Sequence, residues 1–166
     1  IRFEEAKTRP MGRNASGVRG ITLSSANDEV IGMISVNDME SNILVVSENG
    51  FGKRSSLEDY RITNRGGKGV KTISITEKTG DLVSIKNVSD EDDLMIINKS
   101  GIAIRMAVED SRVMGRATQG VKLINLKGND SIAAVAKVMK EEDAEDEEND
   151  SEQKDENNES SSQIKE

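Results

Sequence analysis

The sequence predicts an all-β protein assembled from repeated blades, each a small sheet of four short antiparallel strands. Three observations predict it: an internal repeat of about fifty residues, short β-branched runs punctuated by glycine-bearing turns, and no long segment with helical periodicity. The repeat aligns without gaps on Gly17-Val18-Arg19, Gly69-Val70-Lys71 and Gly120-Val121-Lys122, spaced 52 and 51 residues apart. A unit this short cannot bury both faces of its own sheet, so its copies must stack.

The elements are clearest in the middle repeat. Ile43-Leu44-Val45-Val46-Ser47 is an apolar, β-branched run, and Glu48-Asn49-Gly50 behind it is a reversal signal. A second strand is expected over residues 51–57. Residues 58–68 are polar and contain glycine, which marks a loop. Val70-Lys71-Thr72-Ile73-Ser74-Ile75 alternates apolar with polar and predicts a half-buried third strand, and Lys78-Thr79-Gly80-Asp81 turns the chain into a fourth over residues 82–88. The last repeat offers the same series at Leu94–Ile97, Ile102–Arg105, Val121–Ile124 and Ile132–Val135. The first repeat holds only its later strands, so residues 1–138 are expected to make about two and a half to three blades. A chain opening on Ile1 in strand-like sequence reads as a piece of a longer protein, with further blades needed for full stability.

Charge follows the same period. A base stands fifteen residues before each anchor glycine (Arg2, Arg54, Arg105), eight before it (Arg9, Arg61, Arg112), four before it (Arg13, Arg65, Arg116) and two after it (Arg19, Lys71, Lys122). With a base at about one position in seven, a column filled in all three repeats by chance has odds on the order of a few per thousand. Four such columns need a cause. Segments 9–19, 53–71 and 105–122 carry 13 bases and 4 acids, and the other residues of 1–138 carry 7 and 14, a segregation of sign that solubility alone does not require.

Composition closes other routes. Without Cys or His there is no disulfide framework, no cysteine-histidine zinc site and no histidine-based triad, and a reducing, cytoplasmic setting is the expectation. No run approaches the roughly 20 apolar residues of a membrane span, so no membrane partner is expected. Residues 139–166 hold 3 Lys/Arg and 13 Asp/Glu; taking these from 23 and 31 leaves 20 and 18 in residues 1–138. A mildly basic body (net +2) therefore precedes a polar acidic tail (net -10) that is expected to be disordered. Gly66-Gly67-Lys68-Gly69 lacks the spacing of a nucleotide phosphate loop. Glu91-Asp92-Asp93 reads as a solvated linker between blades, with no metal-ligand spacing.

Residues 64–69, Asn-Arg-Gly-Gly-Lys-Gly, closely resemble the glycine-arginine box (Gln-Arg-Arg-Gly-Gly-Lys-Gly) in the C-terminal domain of the A subunit of bacterial DNA gyrase, matching five of seven positions from Arg65 through Gly69. Thr63-Asn64 replace its Gln-Arg. The loops Arg13–Gly17 and Arg116–Gly120 are similar to the degenerate boxes of the other blades, and RPMGRNASGVRGI, NGFGKR and MGRATQGV also look like blade sequences of that family. The resemblance covers residues 1–138 and implies a six-bladed β-pinwheel that wraps double-stranded DNA in support of negative supercoiling. The full box sits in the family's first blade, so its imperfect copy in an interior repeat suggests that the first blade lies outside this chain. It further implies partnership with the B subunit of gyrase, and with the rest of the A subunit, in a heterotetramer. A nucleoid-associated location is implied too, with ATP and Mg2+ used elsewhere in the enzyme and no cofactor in this piece. Tyr60, in a Glu-Asp-Tyr-Arg loop, has no setting for DNA cleavage.

On this resemblance the candidate DNA-binding residues are Arg65, Gly66, Gly67, Lys68, Gly69 and Lys71 in the best-formed loop, with Arg54 and Arg61 beside it. Arg9, Arg13 and Arg19 join them from the first repeat, and Arg105, Arg112, Arg116 and Lys122 from the last. Arginine suits a phosphate because its planar fork donates two hydrogen bonds, and glycine lets backbone amides approach. The plainer reading makes the glycines turn requirements and the arginines solvated strand edges. The C-terminal domain of the A subunit of topoisomerase IV, and a propeller serving as a protein-interaction platform, are the alternatives. Few aromatic residues argue against single-strand binding by base stacking. The acidic tail is expected to compete with DNA for the basic rim, so removing residues 141–166 should tighten duplex binding at low salt; unchanged or weaker binding would reduce the tail to a solubilising appendage.

Overall fold

The computed structural model describes residues 1–140. Among the described residues seven strands form: β1 (Asn42–Ser47), β2 (Phe51–Ser56), β3 (Leu82–Val88), β4 (Asp92–Asn98), β5 (Ala103–Ala107), β6 (Val121–Lys122) and β7 (Ile132–Met139). The only helical pieces among the described residues are two single 3-10 turns, Glu5–Lys7 and Leu57–Asp59. The strands make two antiparallel sheets, ordered β3-β1-β2-β6 and β5-β4-β7. The β1–β2 reversal falls where Asn49-Gly50 predicts it, with the Gly50 amide donating to the Ser47 carbonyl over 3.1 Å.

Why β1 is a continuous apolar run becomes clear from its surroundings. Leu44 and Val46 face one core cluster, shared with Leu94, Ile96, Val108, Ile132 and Val135; Ile43 and Val45 face another, with Leu57, Tyr60 and Ile73. A strand covered on both sides needs no polar alternation. Val88 completes the first cluster, which seams the two sheets together. Each fully buried Val, Leu or Ile contributes about 1.5–3 kcal/mol on leaving water, so the seam's side chains far outweigh a surface ion pair at about 0–1 kcal/mol.

The third strand departs from expectation. Val70–Ile75 is not a strand: Ile73 is buried in the second cluster, Val70 packs beside it, and the Ser74 amide donates to the Thr118 carbonyl at 3.1 Å. The free edge of β2 is taken by β6 from the following repeat, with Phe51 opposite Lys122 and Gly52 opposite Val121. The predicted strand Val121–Ile124 is thus shortened to two residues and belongs to the preceding blade. Alternation identifies a half-buried extended segment but carries no information on which sheet it joins. In the first repeat, residues 30–36 stand at the repeat offset of β3 but form no strand. Ile34 and Val36 pack on the second cluster, while Val30 and Met33 are 62% and 90% exposed.

Two boundaries shift as well. Asp92 and Asp93, expected in a solvated linker, are buried in β4, where they pair with Lys137 (3.2 Å) and Arg105 (2.7 Å). Met139, expected in the tail, pairs with Asp92 in β7, and Lys140 binds Glu109 at 2.9 Å. The acidic segment 141–166 lies outside the described residues.

The anchor glycines repeat because their backbone does. Gly17, Gly69 and Gly120 have φ of +80°, +78° and +80°, a region other residues enter only at a cost of about 1–2 kcal/mol. At Gly120 a Cβ would also stand 2.5 Å from the Gly52 carbonyl oxygen, in the blade that β6 completes. Gly120→Ala should therefore destabilise the chain by at least about 2 kcal/mol, lowering the melting temperature by several degrees. Gly115→Ala, where a Cβ meets nothing within 4 Å and φ is not left-handed, should leave the melting temperature nearly unchanged.

Candidate nucleic-acid interface

The basic loops of the middle and last repeats are each laid over the preceding repeat and tied to it at both ends. Thr63 donates its amide to Arg2 at 2.9 Å, and Thr22 donates to Gly67 at 2.9 Å. One repeat later, Met114 donates to Arg54 at 2.8 Å and Ser74 to Thr118 at 3.1 Å. Isolated bridges, Arg2 with Ile62 and Arg54 with Val113, mark the same crossing. The loops thus recur with the blades.

The structure divides the four basic columns into two kinds. In the column fifteen residues before the anchor, Arg2 donates to the carbonyls of Leu57 (3.0 Å) and Tyr60 (3.2 Å) in the next repeat. Arg54 does the same with Ser111 and binds Asp90 as well. Arg54 is only 6% exposed, so it lies inside the junction rather than on the expected surface track. Burial of a guanidinium is tolerated here because a carboxylate and a carbonyl meet it. Arg105 binds Asp93 at 2.7 Å and the Met139 carbonyl at 3.1 Å. In the column four residues before the anchor, Arg65 donates to the Arg19 carbonyl at 2.5 Å and Arg116 to that of Lys71.

The other two columns point outward. Arg9, Arg61 and Arg112 are exposed, as are Arg19, Lys71 and Lys122. Arg13 and Lys68 are exposed too, and among the described residues no carboxylate pairs with any of these eight cations. The described ion pairs instead fall on Arg54, Arg105, Lys137 and Lys140. Gly66 and Gly69 have φ of +83° and +78°, whereas Gly67 keeps an ordinary φ. The Gly66 amide, one of those expected to meet a phosphate, is already bound to the Gly20 carbonyl at 2.8 Å.

Lys53 is the residue that the charge columns miss. Fully buried in β2, it extends Nζ to the carbonyls of Gly115 (2.6 Å) and Arg116, holding the last basic loop from below. Its signal in the sequence is a lone base in a column that holds Ile1 and Ile104 in the other repeats. Burial lowers its pKa from 10.5 to about 8, with Asp59 acting to raise it and Arg116 to lower it further. At Asp92 burial would raise the pKa, yet hydrogen bonds from Ser89 and Lys137 outweigh it and the net shift is downward.

With this geometry in view, comparisons with known proteins point one way. A sequence model of the DNA gyrase C-terminal domain, described as a β-propeller, matches residues 1–37, 41–89 and 92–139. The DNA gyrase A subunit of Staphylococcus aureus strain MRSA252 is 49% identical over 144 residues, covering 86% of this chain, and that of Staphylococcus epidermidis strain ATCC 12228 is 46% identical over the same length. The chain spans 16% of each of these relatives. A solved structure of a DNA gyrase A C-terminal domain superposes with a TM-score of 0.75 at 28% identity, over 82% of this chain and 46% of that one. A topoisomerase IV C-terminal domain, 20% identical with a TM-score of 0.76 over 82% of this chain and 42% of that one, shares the fold.

The depressed pKa of Lys53 has a direct consequence for stability. Folded, the amine releases its proton near pH 8; unfolded, near 10.5. Between those values the unfolded chain binds more protons, so stability rises with pH through this window and the penalty is fully present below it. The melting temperature of the unaltered chain should climb relative to that of Lys53→Met between pH 8 and 10. A parallel course of the two would mean that the amine titrates normally.

Proposed function

Because the chain belongs to the DNA gyrase C-terminal domain family, we propose that it binds duplex DNA along the exposed basic columns and bends it around the blades. The observation that carries the proposal is the set of eight exposed cations, none paired with a carboxylate among the described residues, recurring on loops tied to successive blades. Duplex DNA is a regular polyanion, and a protein that wraps it needs contacts at intervals along a curve rather than readout of bases. Bending a stiff duplex through a large angle costs on the order of several kcal/mol, which many phosphate contacts can offset. No chemistry is asked of this chain. It serves as the wrapping element of a gyrase A subunit in the cytoplasm, acting with the B subunit in an ATP- and Mg2+-dependent type IIA topoisomerase whose cleavage and nucleotide sites lie elsewhere. The described residues include no helix long and apolar enough to cross a membrane.

Arg61 and Arg112 are the sharpest test because they are exposed and their side chains make no ion pair among the described residues. If each meets a phosphate, the double variant Arg61→Gln/Arg112→Gln should lower the slope of log affinity against log salt by about 2, at roughly 0.9 per lost contact. Lys99→Gln/Lys127→Gln, outside the columns, should leave the slope within about half a contact of the unaltered chain. Equal losses in the two pairs would mean diffuse attraction. No salt-dependent duplex binding at all would favour a protein-interaction platform.

A further inference from the structure

The column four residues before the anchor makes a contact that its charge alone does not require. Arg65 and Arg116 stand in different repeats, yet each extends a guanidinium N–H to a backbone carbonyl 46 or 45 residues earlier. In both cases that carbonyl belongs to the residue two after the preceding anchor glycine, Arg19 or Lys71, whose side chain is an exposed cation. The held segment needs holding. Arg19 stands between Gly17 and Gly20, and Lys71 follows Gly69, so the backbone there would otherwise sample many conformations. The second clamp is itself braced, since Lys53 of the middle repeat binds the Arg116 carbonyl.

We propose that Arg65 and Arg116 are positioning residues for DNA: each fixes the backbone of the phosphate-contacting base in the repeat before it, and so sets the step between successive contacts along the bent duplex. The proposal rests on the duplex-binding function above. A contact held in place before binding loses less entropy on binding; without the clamp the base still reaches a phosphate, but it must be ordered as it binds and no longer sets a fixed step along the curve. Lysine retains the charge but its ammonium stands on a shorter, flexible stem and does not take the position of the guanidinium N–H at the carbonyl, so a clamp and a phosphate ligand respond differently to the same conservative change.

The test compares Arg65→Lys/Arg116→Lys and Arg65→Gln/Arg116→Gln with Arg112→Gln in the full chain, using an end-labelled duplex whose bending is read by energy transfer. Both double variants are expected to melt cooperatively, to keep the salt slope within about half a contact, and to lose affinity about tenfold together with most of the bend in the bound complex. Arg112→Gln should show the opposite: a slope lower by about 0.9 and a bend retained. A slope lowered by about 0.9 per arginine in the glutamine variant and restored by lysine would overturn the proposal, making both residues direct phosphate ligands. Unchanged affinity and bending would overturn it too. If the double variants fail to melt cooperatively, the single Arg65→Lys and Arg116→Lys chains are measured in the same way; failure of these as well would make the arginines determinants of the fold, against the proposal. Absence of salt-dependent binding by the unaltered chain would instead defeat the duplex reading itself.

Discussion

Leu44 and Val46 of β1 meet Leu94 and Ile96 of β4 in the dry seam on which everything else in the described chain depends. A four-stranded sheet of this size exposes two apolar faces, and water excludes both. One face of β1 is covered by the next blade, the other by Ile34, Val36, Val70 and Ile73. Stacking fixes the distance from blade to blade, and anything attached at the same place on each blade inherits that spacing.

Polar contacts then convert stacked blades into registered ones. A hydrophobic seam is tolerant of sliding, because apolar surface has little directional preference. Arg2, Arg54, Arg65 and Arg116 each hold backbone carbonyls in a neighbouring repeat, and β6 adds ladder bonds across the same junction. A guanidinium suits this junction: it keeps its charge, reaches far, and donates in several directions at once. Such contacts are directional, so they specify register where the seam supplies cohesion.

The bases of the outward-facing columns carry no ion pair among the described residues. Asp90, Asp93, Asp92 and Glu109 are engaged by Arg54, Arg105, Lys137 and Lys140 respectively, away from the outward-facing columns. Keeping counter-charges away from a periodic row of cations leaves a positive field that recurs with the repeat. In this arrangement the fold and its exposed positive charge share a single period of about fifty residues.

Much of this was legible in the sequence, for a physical reason: local patterning reports local structure. The β1–β2 hairpin, β3 and the all-β class follow from apolar runs and turn residues whose conformations are set by neighbours in the chain. The glycine column reports a left-handed backbone that recurs at +78° to +80°. Arg61 and Arg112, expected to face solvent as part of the basic rim, do so. What the sequence could not distinguish was one arginine column from another, since a repeated base marks a repeated need without saying whether carbonyl or phosphate meets it. Arg54 turned inward, Arg65 and Arg116 reached back across the junction, and Lys53 entered the core beneath a loop 62 residues away. Likewise, the alternation at residues 70–75 and 121–124 marked extended, half-buried chain, but the partner of each was decided by which sheet edge stood open beside it. The sequence by itself determined the period, the strand type and where positive charge recurs, because these depend on near neighbours and covalent order. Only the tertiary structure decided which edges pair and which cations remain free, because both depend on groups brought together from different repeats.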